Sequence, residues 1–253
     1  MRTTDSDRVR TITFDRPDVL NAFTTDHAAE LADHLSDLHP DEQHAVVLTG
    51  EGRAFSAGGD VEAMADREES PAEAFDRITE TFGRLAEEAL SCQVPIVARV
   101  NGDAVGAGLA LVALSDFAYA ADSARFSAAF VRVGLVPDTG GTFLLPRLVG
   151  LRAAKELSFT GRFFDANEAA EMDLVNEAVP EGELDDRVEE LLSVLRARPT
   201  RTIGLAKRAI HANLGKGVEG ALDYENHVQA LAYGTDEHGE GVSAFLEGRD
   251  PEF

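Results

Sequence analysis

Apolar and polar positions change period along this chain, and the changes mark its elements. Val9 to Phe14 alternates with period two, as a half-buried strand does. Ala45-Val46-Val47-Leu48-Thr49 is a continuous apolar run ending at Gly50, which predicts a strand buried on both faces. Ile96–Val100, opened by Pro95, and Phe117–Ala121 read the same way. Between these runs the period lengthens to that of a helix. Thr24 is placed to cap a helix running to about Leu38. Ser70, Pro71 and Glu73 combine an N-cap, a first-turn proline and a capping-box acid at the head of a helix reaching about Cys92. Gly106–Leu114 is apolar all round and predicts a buried helix. Leu144–Phe159 predicts another, and Asp165 with Glu168 heads a short one. From Leu184 to Glu247 nearly every residue fits a helix, with breaks at Pro199 and around Gly215–Gly217.

Short strands alternating with helices, then helices alone, predict an α/β core with parallel strands and an all-helical C-terminal part. No internal repeat or low-complexity segment interrupts the 253 residues. The expected division is a core over residues 1–195 and a helical region over residues 196–253.

Three runs stand apart from this patterning: Phe55-Ser56-Ala57-Gly58-Gly59-Asp60, Asn101-Gly102-Asp103-Ala104-Val105-Gly106-Ala107-Gly108, and Leu135-Val136-Pro137-Asp138-Thr139-Gly140-Gly141. Consecutive glycines permit backbone conformations that other residues avoid and let a ligand approach the main chain. The second run joins a strand to a helix, where unpaired N–H groups and the positive dipole end accumulate. Two such N–H groups converging on one point would hold a carbonyl oxygen as it becomes an enolate. Asp138 supplies a carboxylate in apolar company (Val133, Leu135, Val136, Phe143, Leu144), where its pKa would rise and it could move a proton. The plain readings are tight turns packed closely, Asp60 capping the helix after it, and Asp138 capping the helix that follows Thr139-Gly140-Gly141.

Composition narrows the partners. Asp and Glu total 46 against 23 Lys and Arg, a net charge of −23, and only Lys155, Lys207 and Lys216 are lysines. Such a surface repels nucleic acid and anionic membrane. Acid-rich, lysine-poor composition resembles that of proteins from salt-loving microbes, where high salt screens the self-repulsion. Hydrophobic content of 44% supports a real core, yet no apolar run reaches membrane-spanning length and the polar N-terminus does not read as a signal peptide. Cys92, the sole cysteine, excludes an intrachain disulfide and fits a cytoplasmic location. Glycines 102, 106 and 108 lack dinucleotide-fold spacing, and no P-loop, G-x-S-x-G elbow or H-E-x-x-H motif is present. The seven histidines show no metal-ligand spacing with Cys92, so neither a metal nor a separate cofactor is expected.

The three runs, in this order and spacing, resemble the crotonase superfamily, the enoyl-CoA hydratase/isomerase family. Arg16-Pro17-Asp18-Val19-Leu20-Asn21-Ala22, Val94–Gly102, Ser115-Asp116, Gly134–Gly150 and the tail Ala244–Phe253 extend the likeness over nearly the whole chain. The resemblance implies a spiral of ββα turns, followed by a helical region that packs subunits into homotrimers, often paired as hexamers. It implies an acyl-CoA thioester substrate, with the N–H groups of Gly59 and Ala107 as the oxyanion hole. It implies CoA binding by the main chain at Ala57, Gly58, Asp60 and Val61. The family's usual glycine is replaced by Ala107, which still offers its N–H.

The departures bear on the chemistry. The positions matching the two glutamates of the family's hydratases are Ala110 and Phe130, and neither carries a proton. The run Ala124–Asp138 is similar to the isomerase branch, closest to the phenylacetate-pathway isomerase, where the matching aspartate shuttles a proton across an enolate. Phe130 would line the substrate site and keep it dry. The resemblance thus implies an enoyl-CoA isomerase with Asp138 as proton carrier. The alternatives are an enoyl-CoA hydratase with an atypical acid/base set and a non-catalytic acyl-CoA-binding protein. The aromatic acyl-CoA dehalogenase branch needs a histidine where Gly83 stands and a tryptophan, and the chain has no Trp. Arg53, Arg67 and Arg249 are the cationic candidates for the CoA phosphates.

Overall fold

The computed structural model describes residues 1–65 and 67–253. A hairpin of β1 (Arg2–Ser6) and β2 (Val9–Phe14) turns at Asp7 and Arg8, both at positive φ. Helix α1 (Thr25–Ser36) starts where expected: the Thr24 hydroxyl accepts the His27 N–H, and the His27 ring reaches back to Thr24 N.

Three ββα turns then wind in succession. The first is β3 (Ala45–Gly50), β4 (Ala54–Ser56) and the helices α2 (Val61–Ala65), α3 (Pro71–Ile78) and α4 (Arg84–Ser91). The second is β5 (Ile96–Val100), β6 (Asp103–Val105) and α5 (Ala107–Leu114). The third is β7 (Phe117–Ala121), β8 (Arg125–Ser127), α6 (Gly141–Leu148) and α7 (Gly150–Thr160). After β9 (Phe164–Asp165), α8 (Ala166–Glu171) and β10 (Glu177–Val179), the chain is helical: α9 (Leu184–Arg196), α10 (Thr200–Asn213), α11 (Val218–Tyr233) and α12 (Asp236–Glu247). This is the expected crotonase-type spiral with its helical C-terminal part.

The first strands of each turn join a six-stranded sheet ordered β1-β2-β3-β5-β7-β10, parallel throughout except for the opening hairpin. The second strands form a smaller sheet, β4-β6-β8-β9, whose first three strands run parallel. Strand β3 is buried along its whole length and α5 on every side, as their unbroken apolar runs predict. The second sheet escapes the hydrophobic pattern because strands of two or three residues show no period.

Two helices differ from expectation. The helix running from Ser70 toward Cys92 carries a π-helical turn over Thr79–Gly83, which shifts the face presented on either side of it. The stretch expected as one helix over Leu144–Phe159 is two, starting earlier at Gly141 and breaking at Val149–Gly150, where Gly150 takes φ 78°. Both sequence runs are apolar with helical period across the breaks, so periodicity alone conceals them.

The C-terminal helices are anchored by polar contacts, those at His44 and Lys207 buried and that at Glu237 nearer the surface. His44, at the end of the core beside β3, meets the Thr200 hydroxyl at 2.7 Å. Burial, reinforced by Arg8 and Arg196, pushes the His44 pKa down. The Glu237 carboxylate of α12 accepts the N–H groups of Arg201 and Thr202, satisfying the start of α10. Lys207, one of three lysines, is 7% exposed and donates to Asp116 at 2.8 Å, while Asp116 also accepts the Ile96 N–H.

Removing one partner of a buried pair strands the other charge. Lys207→Met is therefore expected to cost about 3–5 kcal/mol in urea unfolding. The double variant Lys207→Met/Asp116→Asn should recover much of that loss, because the stranded carboxylate is gone while an oxygen remains for Ile96. Equal instability of the single and double variants would contradict this account.

Candidate active site

Strands β4, β6 and β8 lie side by side in parallel, with Ser56 opposite Ala104 and Val105 opposite Ser127. The turns that leave their carboxyl ends therefore emerge on one edge of the small sheet. These turns are Ala57–Asp60, Gly106–Ala107 and Ala128–Phe130, and Gly106 N–H is tied to the Ser127 carbonyl at 2.9 Å.

Gly58 permits the first two turns to touch. It takes φ 89°, and a Cβ there would fall 2.5 Å from the Val105 carbonyl oxygen and 3.3 Å from Ala107 N. On the other side, Phe23 grips the same turn. Its N–H donates to Gly58 O at 2.7 Å, and its carbonyl accepts Asp60 N–H at 2.9 Å. That bridge skips Gly59. Among the described residues neither the Gly59 N–H nor the Ala107 N–H has an acceptor within the protein. Ala107 is the first residue of α5, where unpaired N–H groups and the dipole's positive end coincide.

Asp138 reaches the same place from the segment between the third turn and α6, but not as a helix cap. The residue at the N-cap of α6 is Gly140, without a side-chain cap, and Asp138 contributes only its carbonyl, to Gly141 N–H at 2.7 Å. Thr139 at φ 51° and Gly140 at φ 78° turn the chain so that the Asp138 carboxyl leaves the helix. A positive φ is costly for a β-branched residue such as Thr139, which is 5% exposed and held by its surroundings. The Thr139 hydroxyl donates to Asp138 Oδ1 at 2.9 Å. Burial pushes the Asp138 carboxyl above its ordinary range, and the Thr139 hydrogen bond only partly opposes this.

These groups meet in one cavity of about 110 Å³, lined by Gly59, Ala107 and Asp138, with Met64, Phe82 and Phe130 among its apolar walls. Ala57 and Val61 also line it; Gly58 and Asp60 do not. Gly58 acts by allowing contact between turns. The Asp60 carboxylate is committed elsewhere: Oδ1 accepts Ala63 N–H at 3.1 Å, as its expected cap of α2 requires, and Oδ2 meets Arg16 Nη1 at 2.9 Å. Of the two positions matching the hydratase glutamates, Phe130 faces the cavity and Ala110 is fully buried in α5. Met64 and Phe82 are lining residues that the sequence did not mark, and Phe82 sits inside the π-helical turn, an irregularity without a sequence signature. Of the arginines considered for CoA, Arg249 is held by Glu240 and Glu247 of its own chain, while Arg53 is exposed and Arg67 half-buried.

Two main-chain donors and one carboxyl around an apolar space can hold an oxygen and move a proton beside it. Residues 4–253 match the family model described as enoyl-CoA hydratase/isomerase. The chain belongs to the enoyl-CoA hydratase/isomerase family. Among its relatives, the 1,2-epoxyphenylacetyl-CoA isomerase of Escherichia coli (strain K12) is 36% identical over 247 residues, covering 97% of this chain and 94% of the relative. The crotonyl-CoA hydratase of Syntrophomonas wolfei is 31% identical over 249 residues, covering 98% and 95%. The crystal structure of an enoyl-CoA hydratase from Mycobacterium smegmatis superposes with a TM-score of 0.91 at 33% identity, covering 99% and 97%. Family members similar to this chain thus carry both isomerase and hydratase names.

The raised Asp138 pKa has a consequence for stability. Below the ordinary carboxyl value, Asp138 is protonated in folded and unfolded chains alike. As the pH rises past it, the unfolded chain releases a proton the folded chain still holds, so stability falls until the folded value is passed. Asp138→Asn removes this loss. The variant should melt at a higher temperature than the parent at pH 7, with the difference shrinking as the pH is lowered toward 4. A lower melting temperature at pH 7 would contradict the burial account.

Proposed function

We propose that this family member is an enoyl-CoA isomerase that moves a carbon–carbon double bond through an enolate. The observation that carries the reading is the cavity wall: among the described residues lining it, Asp138 is the one titratable side chain. Hydration by two carboxylates needs a second acid where Ala110 and Phe130 stand. Double-bond migration needs only one group that takes a proton and returns it.

The thioester carbonyl accepts the Gly59 and Ala107 N–H groups. The Asp138 carboxylate removes a proton from C2 of a 3-enoyl thioester, breaking C2–H and forming its own O–H. The electron pair moves into the enolate, whose oxygen the two N–H groups stabilise. The protonated Asp138 then gives that proton to C4, and the double bond comes to rest between C2 and C3. An elevated pKa suits a group that must be base and then acid. The apolar walls keep water from the enolate. The reaction consumes no metal or redox cofactor, and coenzyme A enters only as part of the substrate.

The exposed apolar side chains of the C-terminal helices support assembly as a homotrimer or a pair of trimers. Phe245 and Leu246 are 85% and 77% exposed, beside a groove of about 610 Å³ that includes Tyr233 and Val242. Residues 196–253 would be the oligomerisation region, residues 1–195 the acyl-CoA-binding core, and the cytoplasm the place of action. The net charge of −23 fits work in high salt, where main-chain and apolar contacts carry CoA binding.

Asp138→Asn should lower kcat for 3-enoyl to 2-enoyl conversion by about 100- to 10,000-fold while substrate affinity changes little. Undiminished isomerisation in that variant would overturn the assignment of Asp138. Incubation of the parent with a 2-enoyl-CoA in high salt separates the second reading: rapid loss of the 2-enoyl absorbance with 3-hydroxyacyl-CoA formation would make the enzyme a hydratase. Binding of CoA esters with no turnover of either substrate would mark a non-catalytic binding protein.

The pH profile provides an independent check. With Asp138 required as its anion to begin the reaction, kcat/KM should rise with pH through an apparent pKa above that of an ordinary aspartate and then level off. A profile flat across the acidic range would contradict the proposed role.

A further inference from the structure

Asp60 stands next to a main-chain oxyanion donor yet does not face the cavity. Its carboxylate is a charge that any enolate formed on Gly59 N–H would meet from one residue away. The pair it makes with Arg16 is unusual in its connections. The Arg16 guanidinium donates through Nη1 both to Asp60 Oδ2 at 2.9 Å and to the Ala22 carbonyl at 2.6 Å. The Ala22 carbonyl directly precedes Phe23, whose N–H and carbonyl hold the residues on either side of Gly59. The Asp60 side chain is 13% exposed and that of Arg16 32%, so the pair is partly sheltered from solvent.

The remainder of the segment is tied down as thoroughly. Arg16 N–H donates to Asn21 Oδ1 at 2.9 Å. The Asn21 amide donates to the carbonyls of Glu51 and Ala54, at either end of the approach to β4. The Asn21 carbonyl accepts the Ser56 hydroxyl, and that same hydroxyl oxygen accepts Gly58 N–H at 3.1 Å. Asn21 is 2% exposed and adopts φ 57°, a buried left-handed residue whose side chain is fully used. The segment Arg16–Phe23 thus grips the first glycine turn at Ser56, Ala57, Gly58 and Asp60, and leaves out Gly59 alone.

We propose that Arg16 and Asp60 are positioning residues of the oxyanion turn. Arg16 fixes the direction of the Gly59 N–H through Asp60 and Ala22, and it cancels the Asp60 charge that would otherwise oppose the developing enolate. The two effects have different signatures. Removing Arg16 leaves both a loosened turn and an unneutralised carboxylate. Converting Asp60 to Asn keeps the cap on Ala63 and removes the charge. The chain carries 46 acids against 23 Lys and Arg, so a cation paired with the carboxylate that follows Gly59 counters a field that is unfavourable nearly everywhere else.

The proposal rests on the reading that Gly59 and Ala107 bind the thioester carbonyl, and its test separates the two. An unreactive aryl-acryloyl-CoA, whose absorbance shifts to the red when its carbonyl is polarised, is bound to the parent and to Arg16→Met, Asp60→Asn and the double variant. The same four proteins are assayed for kcat and KM on a 3-enoyl-CoA.

Arg16→Met is expected to lose most of the red shift and about 30- to 100-fold in kcat, with KM changed less than about threefold. The double variant should regain at least about tenfold of that kcat, because the uncompensated carboxylate is gone. A purely structural ion pair would lower the stability of Arg16→Met, with recovery in the double variant, while the red shift and kcat of the folded proteins stayed at the parent's level. Should Arg16→Met fail to fold, the decision falls on the double variant, which must then exceed Asp60→Asn in lost kcat while keeping a partial shift. A full red shift and kcat within about threefold of the parent in every folded Arg16 variant would overturn the proposal. Absence of any shift in the parent would instead overturn the oxyanion reading beneath it.

Discussion

Two N–H groups can serve one oxygen only if the turns that carry them are in contact, and the rest of this site depends on that contact. Parallel pairing of β4, β6 and β8 brings the three turns to one edge. Gly58, with no Cβ to strike Val105, lets the first two close on each other. Phe23 lies opposite Gly59 but exchanges its hydrogen bonds with the flanking Gly58 and Asp60, so the Gly59 donor is left over by the register of a single parallel bridge. The helix α5 must be apolar on every side because it starts at this contact and runs through the interior. The order runs from strand pairing to turn contact to unpaired donors, and a cavity with a chemical use is the result.

Much of this was legible in the amino-acid pattern, for reasons that differ by element. The buried strands and α5 announce themselves because burial on all sides leaves no polar residue to interrupt the run. The caps at Thr24, Ser70, Asp60 and Asp165 were readable because a short polar side chain three residues ahead of an N–H has few other uses. Asp138 looks identical by that logic and is not a cap. What distinguishes it is the left-handed backbone of Thr139, a conformation no sequence rule assigns to a β-branched residue. The small sheet, the π-helical turn and the break at Gly150 were hidden for a related reason: each depends on partners distant in the chain, not on local period. Arg249 is a candidate for the CoA phosphates in the sequence, and folding brings Glu240 to it.

The electrostatics of the molecule divide in two. The surface carries an excess of acid, and most of its arginines are spent on ion pairs with neighbouring carboxylates, among them Arg125 with Asp103, Arg162 with Glu156 and Glu168, and Arg187 with Glu177. Exposed pairs of this kind contribute little each and are weakened further by salt. The interior is treated differently. Lys207 with Asp116 and Arg16 with Asp60 are sheltered pairs, each linked to backbone groups of a strand or turn that must not move. Among the described residues, Asp138 is the titratable group that lines the cavity and no salt bridge reaches it, its carboxyl raised by burial and answered by one hydroxyl. The carboxyl of the cavity thus stands apart from the ion pairs that cover the surface.

Because both donors at the cavity are main-chain groups, mutational drift cannot easily erase them. A substitution at Ala107 changes a side chain and leaves its N–H in place, whereas one at Ala110, Phe130 or Asp138 changes which titratable groups stand at or near the cavity. On the proposed reading, holding of the thioester and choice of reaction are therefore separable in this fold. On that reading, a lineage can exchange one chemistry for another by a few point changes around an unaltered anchor, and the anchor itself is exposed to loss where backbone leaves no room for an added carbon, at Gly58 against the Val105 carbonyl and at Gly108 against the Ser56 carbonyl.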